Sequence, residues 1–303
     1  MIVRDRPNAI ALLFALRGSV VPEILPHIIS VALFASALTA ISRFHLWEPG
    51  DLTLIPFTLL GIVLSILLGF RNNACYDRWW EARKLWGAMV NEVRSLARTS
   101  GSLLGQSADC RRQLLMLTLG FAHSLRGQLR NEDVRDDLTQ WLPQDQIEAA
   151  LAHQNQPDWY LRQAGNLLGA EFSEQRLDSM GLRMLDERLC ALAEIQAGCE
   201  RIASTPLPFA YSLLVHRTSY MYCYLLPFAL IGVIGWATPL LTAIVAYTFF
   251  GIDRLSDHLV TPFGRDANDL PLDALCRIHE ISVTEALGEA SPPALQPQNF
   301  QIL

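Results

Sequence analysis

The chain has 303 residues, 51% hydrophobic and only 18% charged, with a net charge of −6. The slightly acidic balance excludes nucleic acid as a partner, because such surfaces need a basic excess. Long uncharged runs set the chain among integral membrane proteins and apart from soluble enzymes. Six cysteines without a Cys-x-x-Cys pair or disulfide-like spacing suit a reducing compartment.

Residues 1–21 form a cytoplasmic or interfacial N-terminal segment. Within it residues 8–18 are an apolar helix too short to span a bilayer, ended by Gly18. No small-residue cleavage site follows the first apolar stretch, so no removable signal peptide is expected. Residues 22–75 are predicted as the first transmembrane hairpin. Its first span has nineteen residues without formal charge, from Ile24 to Ser42, entered through Pro22 and Pro26. The turn from Phe44 to Gly50 carries Pro49-Gly50 and the headgroup-suited Trp47. Between Asp51 and Arg71 lie another nineteen uncharged residues. As a helix they measure about 28 Å, which crosses a hydrocarbon core of about 30 Å. The helical pattern continues through Arg71, Asn72, Asn73 and Asp77 into Arg78, Trp79 and Trp80, so one helix leaves the membrane and enters a cytosolic domain.

Residues 76–205 are that domain, helical throughout. Starts are signalled at Asp109, Asn131, Pro143 and Ser173, with breaks at residues 101–105 and 154–157 and the longest helix from about Ser173 to Ala203. Residues 206–258 are the second transmembrane hairpin. No acidic or basic residue occurs for thirty-five positions, from Thr218 to Ile252, and Gly235-Trp236 with Pro239 break the run into two spans. Residues 259–289 are a cytosolic C-terminal segment with one more helix, and the Pro/Gln-rich residues 290–303 read as a disordered tail. The expected fold is all-α, with four transmembrane helices in two hairpins around a helical cytosolic domain. Basic residues cluster after the second span, before the third and after the fourth, which places the bulk domain and both termini in the cytoplasm.

Ile62, Ile66 and Phe70 stand at i, i+4 and i+8 and stack along one face of the second span. Such a seam supplies apolar rings that narrow and dewet a pore, yet it also serves to pack or to face lipid. Arg78, Trp79 and Trp80 suit an interfacial anchor. His216-Arg217 fits a snorkelling interface pair, and Asp253, Asp257 and His258 fit a surface helix face better than a metal site. No nucleophile-elbow, P-loop, dinucleotide-binding or HExxH pattern is present. The chain reads as a non-enzyme without a cofactor.

Ser65-Ile66-Leu67-Leu68-Gly69-Phe70 followed by Arg78-Trp79-Trp80 resembles the second-helix signature of the bestrophin family. Arg17-Gly18-Ser19-Val20 resembles the family's N-terminal motif, and Thr261-Pro262-Phe263-Gly264 with Asp266 and Asp269 resembles its acidic cluster after the last span. The resemblance covers most of residues 4 to 285. It implies a homopentameric channel in the bacterial inner membrane, with self and the lipid bilayer as partners and small monovalent ions as cargo. Ile62, Ile66 and Phe70 would be its hydrophobic neck and Met180 its cytosolic aperture, while Arg78, Trp79 and Trp80 would order the neck helix. Animal members are calcium-activated anion channels with an aromatic residue where this chain has Ile66. Bacterial-type members are cation-permeable, so a sodium-like cation is the preferred cargo and chloride the alternative. The calcium clasp is only a remnant: Thr261 and Arg265 replace its asparagine and one acidic residue, and Arg265 opposes a cation. No metal and no calcium gating are expected. A membrane-tethered signalling protein or a transporter are the further alternatives.

Overall fold

The longest element is one helix of forty-nine residues, α2, from Ile55 to Leu103. Its first third, up to Phe70, is uncharged and the remainder carries charge, and no proline interrupts the passage from one to the other. The computed structural model describes residues 1–3, 15–16, 18–44 and 53–303. Among these the chain is helical without a named strand: α1 Val21–Arg43, α2 Ile55–Leu103, α3 Ala108–Arg130, α4 Arg135–Leu138, α5 Gln144–Leu151, α6 Gln156–Ser173, α7 Ser179–Ser204, α8 Phe209–Ile234, α9 Thr238–Val260 and α10 Leu272–Leu287. Residues 8–14 of the expected short helix, Arg17 and the turn around Pro49 lie outside the described residues. Among the described residues three stretches are long and apolar enough to cross a membrane: Val21–Arg43, Ile55–Leu103 and Phe209–Val260.

The chain divides into two compact units. One comprises Arg4–Trp79 and Pro206–Thr261, the other Met1–Val3, Trp80–Thr205 and Pro262–Leu303. In the first, α1 packs on α8 and α9, and the buried centre contains Ile24, Val31, Leu64, Leu68, Val215, Tyr222, Cys223, Leu226, Ala246 and Phe250. Gly61 allows close approach here, since a Cβ would sit 2.7 Å from the Tyr222 hydroxyl. The third stretch is two helices. Gly235, at φ +56°, ends α8, a 3-10 turn covers Gly235–Ala237, and Pro239 sits in the first turn of α9. A side chain at Gly235 would collide with the Arg43 guanidinium.

In the second unit α3 is the central element. Residues 114–127 are buried without interruption, enclosed by α6, α7 and α10. Asn131, expected to start a helix, instead ends α3 in the left-handed conformation (φ 53°), a C-cap role open to Asn because αL costs it little. Ser173 likewise closes α6, its hydroxyl donating back to the Gly169 carbonyl. The following helix starts at Ser179, where the Asp178 carboxylate accepts from the Gly181 N–H at 2.6 Å. Pro143 is the N-cap of α5. Of the Pro/Gln-rich residues 290–303, Gln301 pairs with Ile2 and Leu303 accepts from the Ala274 N–H.

Candidate functional site

At about 100° per residue, Leu64, Leu68, Arg71 and Cys75 share an arc of about 60° on α2, while Ile55, Leu59, Ile62, Ile66 and Phe70 share an arc of about 80° on the opposite side. The first set is buried and fixes the helix to its unit. The second set is turned outward: Ile62 is 53% exposed, Ile66 52% and Phe70 64%. The three candidate neck residues thus stand in one row, held from behind by the buried face.

That support contains charge. Arg71, the residue after Phe70, is buried; its Nη1 lies 2.5 Å from the Asp253 Oδ1 and donates to the Asp253 carbonyl at 3.2 Å, and its Nη2 lies 2.5 Å from the Asp257 Oδ1. His216 Nδ1 lies 2.8 Å from the other Asp253 oxygen. Arg254 stands 3.6 Å from Asp257 and pairs with Glu23, and His258 is 3.2 Å from Glu23. The chain of ion pairs ties α1, α2, α8 and α9 together beside a cavity of about 320 Å³ lined by Glu23, His216, Tyr220, Phe250, Asp253 and Asp257. Asp253, Asp257 and His258 are therefore neither a metal set nor a bare surface face. Their spacing was legible; their partner Arg71 was not, being 182 residues from Asp253.

The Arg78 Nε donates to the Val260 carbonyl at 2.7 Å, satisfying an orphan acceptor at the end of α9. Tyr76 stacks with Trp79 at 6.3 Å, and Trp80 is exposed. Met180 lies in the first turn of α7 and is 62% exposed, with the exposed Met184 one turn on.

The Thr261-Pro262-Phe263-Gly264 motif leads into a turn held by arginines. Arg130 Nε donates to the Phe263 carbonyl at 3.0 Å, and its Nη1 lies 2.7 Å from Asp273. Gly264 cannot carry a side chain, because a Cβ would lie 2.5 Å from an Asp269 oxygen. That same oxygen accepts from the Asp266 N–H at 2.8 Å. Arg265 pairs with Glu132 and, at 3.0 Å, with Asp273; these hydrogen-bonded carboxylates hold its basicity above the usual arginine value. Among the described residues no three His, Cys, Asp or Glu side chains converge as metal ligands.

Elsewhere in the second unit His279 is buried with neither ring nitrogen hydrogen-bonded. Burial, and then the neighbouring His123 and Arg94, push it down to about 3. Glu171 is pulled to about 2 by hydrogen bonds from Arg176 and, less strongly, from Ser107.

The model of the Bacterial/Fungal Bestrophin protein family matches residues 1–285. A voltage-dependent anion channel-forming protein of Mesorhizobium japonicum is 53% identical over 300 residues, covering 99% of this chain and 96% of the relative. The protein of the same description from Escherichia coli, YneE, is 37% identical over 304 residues and matches 100% of both chains. The crystal structure of a bacterial bestrophin homologue from Klebsiella pneumoniae aligns with a TM-score of 0.85 at 37% identity, covering 88% of this chain and 99% of that one. With a family match over nearly the whole length and relatives this similar at full coverage, the chain belongs to the bacterial/fungal bestrophin family.

Proposed function

We propose that this chain is the subunit of a pentameric ion channel of the bacterial inner membrane, in which Ile62, Ile66 and Phe70 from each copy form a hydrophobic neck on the shared axis. The carrying observation is the division of α2 into a buried face that includes Arg71 and an outward row of three large apolar side chains. Apolar rings in a narrow passage make an ion shed water it cannot replace, so their width sets the barrier to conduction. Four spans with cytoplasmic termini, a second constriction at Met180, and a neck helix steadied by Arg78, Trp79 and Trp80 belong to the same reading. No chemistry is assigned to the chain.

The cargo in this reading is a monovalent cation. No basic side chain lies on the outward arc from Ile55 to Phe70, and aliphatic Ile66 lacks the positive ring edge that an aromatic residue offers an anion. An anion-conducting reading is favoured by the description of the Mesorhizobium and Escherichia relatives as anion channel-forming. Calcium does not gate the channel, since Arg265 occupies the acidic turn and an Asp269 oxygen is already engaged by the Asp266 N–H.

Purified protein in liposomes tests the neck. Ile66→Ala widens the ring and is expected to raise ion flux several-fold over wild type. Flux unchanged by replacing each of Ile62, Ile66 and Phe70 with Ala rejects the assignment.

A further inference from the structure

The outward arc of α2 does not end at Phe70. Continuing at about 100° per residue, Asn73 and Asp77 fall within the same arc as Ile62, Ile66 and Phe70. Both are exposed. Asp77 lies seven residues beyond Phe70, about 10 Å along the axis. Of the three charged side chains that follow the uncharged run within the first unit, Arg71 is committed to Asp253 and Asp257, and Arg78 donates to the Val260 carbonyl. Asp77 alone faces outward on this row.

We infer that Asp77 sets the charge selectivity of the channel: in the assembly its carboxylates form an acidic ring at the cytoplasmic mouth of the neck, which concentrates monovalent cations and repels chloride. This rests on the neck assignment made above. Five like charges about 10 Å from the last apolar ring act within roughly one Debye length at 0.1 M salt, so they are felt at the constriction. The next ionisable residue at the same helical phase, Lys84, is a further seven residues on. At about 20 Å from the neck it is screened by a further factor of roughly three, and it does not cancel the ring. Rings of acidic side chains beside a narrow passage are a general device for favouring cations.

The test is the reversal potential of purified channels in planar bilayers under asymmetric sodium chloride, for wild type, Asp77→Asn, Asp77→Lys, Asp77→Glu and Ile66→Ala. Each variant is first checked for wild-type elution as an assembly by size exclusion; Asp77 is exposed and makes no ion pair among the described residues, so its replacement is expected to spare the fold. Wild type is expected to favour sodium. Asp77→Asn is expected to lower the sodium-to-chloride permeability ratio roughly tenfold, Asp77→Lys to invert it, and Asp77→Glu to keep it. A ratio within about twofold of wild type in both Asp77→Asn and Asp77→Lys, with Ile66→Ala still changing conductance, overturns the Asp77 assignment and leaves the neck standing. Indifference to Ile66→Ala as well removes the neck reading with it. A chloride-selective wild type, or loss of selectivity in Asp77→Glu, also overturns the inference.

Discussion

Arg71 carries more of the architecture than any other residue near the neck. It is the first charge after nineteen uncharged positions, and the sequence assigns it only a vote on membrane orientation. In the folded chain it turns inward and anchors α2 through Asp253 and Asp257. A buried pair adds little net stability over a well-packed apolar pair, but removing one partner strands the other. Arg71→Met should therefore destabilise the protein by about 3–5 kcal/mol, and Arg71→Met combined with Asp253→Leu should recover much of that loss. Melting of the detergent-solubilised variants checks this, and a single variant as stable as wild type would contradict the anchoring role. Sequence reasoning missed Arg71 because ion-pair partners on different helices obey no spacing rule. The i, i+4 spacing of Asp253 and Asp257 was the sole visible half of the arrangement, and it fits several readings equally well.

At the scale of elements, α2 was legible, and so was the start of α3 at Asp109, but the burial of α3 was not. Two simple patterns, an uncharged run and then an amphipathic one, meet in α2 without a breaker between them. α3 is buried continuously from Leu114 to Gly127, and that stretch contains Thr118, His123, Ser124 and Arg126, residue types that a sequence reading assigns to a solvated face. Two of these find partners on other elements, His123 lying 3.0 Å from Glu280 and Arg126 pairing with Asp137 and Asp273, while the Thr118 hydroxyl donates back to the Leu114 carbonyl. The misplaced starts have different causes: Asn131 adopts the left-handed C-cap conformation open to Asn, whereas the Ser173 hydroxyl turns back to the Gly169 carbonyl inside α6 rather than capping a new helix.

Burial on α10 gives this element a pH dependence. His279 is held near 3 when folded and regains about 6.5 when unfolded, so between those values the unfolded chain binds the extra proton. Stability is complete above pH 6.5 and falls as pH drops through the window, by up to about 1.4 kcal/mol per pH unit. Glu171, held near 2 by Arg176, adds acid sensitivity only below about 4.5. Melting between pH 6.5 and 4.5 thus isolates the histidine. His279→Leu should flatten the dependence there, and an unchanged slope would contradict the assignment.

For the whole molecule, the described residues leave Ile62, Ile66 and Phe70 more than half exposed, and this is physically reasonable only in lipid or against further copies of the chain. Lipid suits all three, but not Asn73 and Asp77, which continue the same row with polar groups. A shared axis accommodates both halves, with apolar side chains narrowing the passage and polar ones lining a wet mouth. The three apolar stretches among the described residues were readable from hydrophobic run length, while nothing in a single sequence encodes how copies meet. The decisive measurement is the distance of the Ile66 side chain from the symmetry axis in a side-chain-resolution structure of the purified assembly. A fivefold particle with Ile62, Ile66 and Phe70 ringing the axis within van der Waals reach of a partly dehydrated ion is the predicted result. A monomer, or an assembly in which the three side chains meet lipid, would contradict the account.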